Sequence, residues 1–170
     1  MASKGNEKLN LINTGTQLPE GACVVIVKTE WNADIINALE AGAQKILEKC
    51  NVKNVVSITV PGAIEISHAI KIYWEANKYK DIKPSAFIAL GCVIKGDTPH
   101  FDFVCQSVTS GITQLNLQLP VPTIYGILTV LNEEQAYERL GGSQGHKGEE
   151  AALTAVKMIV LSKEIKNHLV

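Results

Sequence analysis

From Ala22 onward, short runs of consecutive apolar residues alternate with longer segments in which apolar residues recur every three or four positions. The run Ala22 to Val27 is β-branched and unbroken, as a strand buried on both faces requires. The segment Ala33 to Cys50 instead places Ile35, Ile36, Leu39, Ala43, Ile46 and Leu47 on one helical stripe. The same alternation predicts strands over Asn54 to Val60, Ser85 to Val93 and Pro122 to Leu128. It predicts helices over Ala63 to Asn77, Pro99 to Leu117, Asn132 to Leu140 and Gly148 to Ile165. Strands alternating with amphipathic helices make a parallel sheet covered on both faces, so the fold class is α/β with a four-stranded parallel sheet. Right-handed crossovers gather the strand-to-helix turns at the carboxyl edge, where ligands bind in such folds. With no repeat, linker or low-complexity block, residues 21–170 read as a single domain. Residues 1–20 are rich in Asn, Thr, Gly and Lys with only scattered aliphatics, Leu9, Leu11 and Ile12 among them, and read as a flexible arm.

Composition narrows the function classes. The chain has 170 residues, a charged fraction of 19% and a formal net charge of −1, less surface charge than the roughly 25% usual for a globular chain. Weak self-repulsion favours association. Without a basic excess or stripe there is no nucleic-acid footprint, and the longest apolar stretch, Ala86 to Ile94, is too short to span a membrane. Cys23, Cys50, Cys92 and Cys105 lack C-x-x-C spacing, and no signal-peptide core opens the chain, which points to a reduced, cytoplasmic protein. Fifteen of the sixteen basic residues are Lys; the single arginine is Arg139.

The chemistry gathers at the strand ends. After the first strand stand Trp31, placed to stack on a flat ligand or to staple the helix start, and Asn32, a candidate N-cap. After the second, Gly62 allows close backbone approach, and Glu65 falls in the first helical turn, serving the dipole or accepting from ligand hydroxyls. After the third come Lys95, Gly96, Asp97, Thr98, Pro99 and His100. Thr98 before Pro99 predicts a helix start whose free N–H groups bind an anion, with His100 beside it for proton transfer. A zinc site from Cys92, His100 and Cys105 fits no familiar spacing, and Cys92 has no base to make it a nucleophile. Arg139 near Gly141, Gly142 and Gly145 suits bidentate recognition of phosphate or carboxylate, or complements a helix C-terminus. No Walker A loop, G-x-G-x-x-G, H-E-x-x-H or G-x-S-x-G is present.

Taken in order, Trp31-Asn32, Pro61 to Glu65, Gly91 to Asp102, Tyr125-Gly126, Leu128-Thr129, Glu138-Arg139 and His146 to Ala152 resemble the 6,7-dimethyl-8-ribityllumazine synthase family. The likeness runs from about Ala22 to Leu161. It implies a flavodoxin-like α/β/α sandwich whose N-terminal arm adds a strand to a neighbouring subunit. The reaction implied condenses 5-amino-6-(D-ribitylamino)pyrimidine-2,4-dione with 3,4-dihydroxy-2-butanone 4-phosphate, without metal or organic cofactor. It proceeds by imine formation, phosphate elimination and ring closure with loss of water, the penultimate step of riboflavin biosynthesis.

By the same resemblance Trp31 and Asn32 meet the pyrimidine, and Gly62, Ala63, Ile64 and Glu65 hold the ribityl chain. Val93 and Ile94 touch the heterocycle, while Lys95, Gly96, Asp97 and Thr98 bind phosphate. His100 is the catalytic residue, and Tyr125, Arg139 and Lys147 come from the adjacent subunit. A homopentamer is implied, or a 60-subunit shell able to enclose riboflavin synthase. The chain departs from the family at Glu30, where Arg is common, at Trp31 and Tyr125, where Phe is frequent, and at Glu149, where an aromatic is common. A non-catalytic flavin-binding or cage-forming protein of the same fold is the alternative, against which His100 and Arg139 argue.

Overall fold

The computed structural model describes residues 18–168; the expected arm, apart from its last three residues, lies outside them. Four strands form one parallel sheet in the order β2-β1-β3-β4: β1 (Cys23–Thr29), β2 (Asn54–Val60), β3 (Ala86–Ile94) and β4 (Thr123–Val130). The helices are α1 (Ala33–Lys49), α2 (Glu65–Asn77), α3 (His100–Gln118), α4 (Glu133–Tyr137) and α5 (Lys147–His168). Between α4 and α5, β5 (Leu140–Gly142) and β6 (Gly145–His146) form a small antiparallel hairpin. The result is the three-layer, flavodoxin-like α/β/α sandwich.

The unbroken apolar strands explain the two cores. Successive side chains point to opposite faces. Val24 and Ile26 of β1, with Ile88, Leu90 and Cys92 of β3 and Leu128 and Val130 of β4, pack under α1 and α5. Cys23, Val25, Val27, Phe87, Ala89 and Ile127 pack under α2 and α3. Gly148 lets the start of α5 lie directly on α1, since a Cβ there would come within 1.9 Å of the Leu39 carbonyl oxygen.

Some boundaries differ from the sequence expectation. β1 and β4 run two residues further because backbone pairing continues through polar positions: Thr29 pairs with Val60, and Thr129 with Val93. α3 begins at His100 with Pro99 at the cap in helical conformation, so Thr98 does not cap it. Asn32 occupies the cap position of α1 but adopts the left-handed region, φ 58°, and makes no side-chain cap. The segment expected as a helix to Leu140 ends at Tyr137 and turns into the hairpin. Asn132 caps that helix, accepting from the Gln135 N–H at 3.0 Å.

Candidate active site

The turns after β1, β2 and β3 lie side by side at the carboxyl edge. Lateral hydrogen bonds stitch them: the Glu30 N–H donates to the Val60 carbonyl (2.9 Å), and the Lys95 N–H to the Val130 carbonyl (2.9 Å). Asn32, freed from capping, donates its side-chain amide to the Cys92 carbonyl at 3.0 Å and so ties β1 to β3.

On this shelf Trp31 is 73% exposed, too open to act as a packing staple, and its ring is available to a flat ligand. Gly62 makes room for the Glu65 carboxylate, which would lie 2.9 Å from a Cβ at that position. Glu65 opens α2 and Ile64 is exposed beside it. Val93 and Ile94 are half-buried at the end of β3, whereas Lys95, Gly96, Asp97, Thr98 and His100 are exposed. No side chain caps α3, which leaves first-turn N–H groups for an anion.

One predicted residue stands apart from the shelf, and two others pair with Glu150. Tyr125 pairs with Ala89, five residues before the Ile94–Val130 pair that ends the ladder, and thus about 17 Å from the edge at about 3.3 Å per residue. Its hydroxyl shares a hydrogen bond with Thr109 at 3.3 Å; burial pushes the phenol up, and that bond partly offsets it. Arg139 and Lys147 meet at the first turn of α5. The Arg139 Nη2 donates to both Glu150 carboxylate oxygens, at 3.1 and 2.9 Å, while Nη1 donates to the Gln144 carbonyl. Lys147 Nζ lies 3.8 Å from the same carboxylate.

Within the chain the lone arginine thus meets both oxygens of Glu150 through a single nitrogen, Nη2, rather than through the two-nitrogen planar fork. Sequence reasoning left Glu150 without a role; its place three residues after Lys147 on a helix was the available signal. Glu149 is likewise explained: it pairs with Lys45 of α1 at 2.8 Å.

Burial pushes the Cys92 thiol up to about 11, with the Glu133 carboxylate adding to the effect, which removes it as a nucleophile near neutral pH. Cys105 is raised by burial first and by Asp102 second. Among the described residues no group of three His, Cys, Asp or Glu is placed to hold a metal ion, and no helix is long and apolar enough to cross a membrane. A cavity of about 400 Å³ lined by Gln44, Glu48, Asn51, Val52, Lys53, Val55 and Ser57 sits by the end of α1 and the start of β2, away from the shelf.

Comparison with known proteins matches residues 21–163 to the family described as 6,7-dimethyl-8-ribityllumazine synthase. Curated relatives with that same name include one from Bacteroides fragilis, 49% identical over 79% of this chain and 92% of the relative. Another from Parabacteroides distasonis is 47% identical over 81% of this chain and 84% of the relative. A third, from Cytophaga hutchinsonii, is 46% identical over 79% and 82%.

Proposed function

The chain belongs to the 6,7-dimethyl-8-ribityllumazine synthase family, and from that premise we infer how its shelf and its Arg139 cluster divide the reaction. The protein is a transferase of riboflavin biosynthesis. It condenses 5-amino-6-(D-ribitylamino)pyrimidine-2,4-dione with 3,4-dihydroxy-2-butanone 4-phosphate to give 6,7-dimethyl-8-ribityllumazine. One observation carries this: a single family match over residues 21–163 takes in every residue of the shelf and of the cluster.

On this reading the pyrimidine stacks on Trp31 and its ribityl chain runs over Gly62, Ala63 and Ile64, with Glu65 accepting from its hydroxyls. Asn32 holds the β1 turn against β3, so the backbone of Val93 and Ile94 meets the heterocycle. The phosphate takes the uncapped start of α3 with Lys95, Gly96, Asp97 and Thr98. The 5-amino group attacks the ketone, and loss of water leaves an imine. Phosphate then departs as the adjacent carbon gives up a proton, and the ribitylamino nitrogen closes the ring with loss of a second water. His100, exposed at the first residue of α3, serves as the proton-transfer residue of these steps.

A neighbouring copy supplies Tyr125, Arg139 and Lys147, as the family likeness implies; for Tyr125 the distance from its own chain's shelf supports this. The open apolar side chains of Trp31, Phe103 (67% exposed) and Leu117 (83% exposed) support such an interface, as does α3, which carries no Lys or Arg. The proposed assembly is a homopentamer of one domain, residues 21–170, with residues 1–20 as an arm adding a strand to a neighbour. The short connection from Gly141 to Gly148, which resembles that of shell-forming family members, supports the further proposal of a 60-subunit, cytoplasmic shell able to enclose riboflavin synthase.

Mixing the purified protein with both substrates and following lumazine fluorescence gives a rate above the spontaneous condensation. A rate equal to that background overturns the reading.

A further inference from the structure

His146 has no role in the scheme above, yet three elements close on it. Its backbone pairs with Leu140 in the hairpin. Its ring fills the space over Gly42 of α1, where a Cβ would stand 2.2 Å from Cε1 and 2.6 Å from Nδ1. Its Nδ1 accepts a long hydrogen bond, 3.4 Å, from the Glu149 N–H in the first turn of α5. That N–H is one of the donors a helix start leaves without an internal partner. The residues around it are the charged ones: the Lys147 N–H donates to the Arg139 carbonyl at 2.8 Å, and Glu150 holds the Arg139 guanidinium.

We propose that His146 is a positioning residue: wedged against Gly42, it caps α5 through Nδ1 and so sets where Arg139 and Lys147, joined by the Glu150 carboxylate, present their positive charges to the phosphate-bearing substrate. Without the ring, the gap over Gly42 lets α5 shift against α1 and the first turn of α5 loses its acceptor. The guanidinium and ammonium then move together, because the Lys147–Arg139 backbone bond and Glu150 join them. The inference rests on the reading that the cluster serves the phosphate substrate, so the experiment includes a control for that reading.

Steady-state kinetics on His146→Ala, His146→Asn and Arg139→Lys, each checked by sedimentation, test it. His146→Ala is expected to raise the KM for the butanone phosphate about five- to tenfold, while the KM for the pyrimidine moves less than about twofold. His146→Asn, whose amide offers an acceptor at similar reach, recovers most of the difference. Inorganic phosphate inhibition weakens in parallel with the first KM. Equal rises in both KM values, or an Asn variant no better than Ala, overturns the inference. If His146→Ala does not fold, His146→Gln replaces it: filling the wedge without an acceptor at the right reach, it is expected to raise the phosphate KM where Asn does not, and equal behaviour overturns the inference. Arg139→Lys raising that KM while His146→Ala leaves it alone defeats this inference only. No rise in Arg139→Lys defeats the reading of the cluster and this inference with it.

Discussion

At the scale of single residues, chemical type predicted chemistry better than it predicted partners. A lone arginine among lysines suggests a site that needs a planar fork; in the chain Arg139 sends one nitrogen to both oxygens of Glu150 and the other to the Gln144 carbonyl. Asn32 was expected to cap α1 and does hold the cap position, but its side chain ties two strands together instead of capping; which carbonyl lies within reach depends on strand order. Trp31 yields a test of stacking against stapling. Base–aromatic stacking is worth about 1–3 kcal/mol, so Trp31→Ala should raise the pyrimidine KM about tenfold with an unchanged urea midpoint; a lowered midpoint with unchanged KM would show a packing role. Cys92 gives a second test. Its folded-state value is raised from 9.0 to about 11, so native Cys92 should resist iodoacetamide at pH 8 and label on unfolding, as peptide mapping can read. Since the unfolded thiol ionises first, stability from this group is whole below pH 9 and falls as pH rises toward 11.

At the scale of elements, periodicity located the four strands of the sheet and all five helices, because each buries a face and must repeat its apolar residues at the spacing of its backbone. The hairpin was not legible. Its strands, Leu140–Gly142 and Gly145–His146, are too short and too glycine-rich for a period of two to register, and positive φ at Gly141 (110°) and Gly145 (77°) is visible only in three dimensions. The contact between α1 and α5 makes a further prediction. A Cβ on Gly148 would meet backbone atoms of Leu39, with the carbonyl carbon at 2.8 Å, and backbone cannot rotate away. Gly148→Ala should therefore cost about 2–3 kcal/mol, read as a lower urea midpoint.

At the scale of the whole molecule, low charge and open apolar side chains agree with a site shared between copies. Complementation tests this directly. His100→Ala and Arg139→Ala, each inactive alone, should regain up to about a quarter of wild-type activity when unfolded and refolded together, because random mixing then yields some sites with both residues intact. No recovery would mean that both residues serve the same chain's site. By itself the sequence determined the layer order, the carboxyl-edge shelf and the residues that carry the family likeness, since each follows from local spacing along the backbone. Only the tertiary structure decided that Glu150 holds Arg139, that His146 fills the gap over Gly42, and that Tyr125 lies far from the shelf of its own chain. Those facts depend on which distant segments the strand order and the helix contacts bring together, and no local period encodes that.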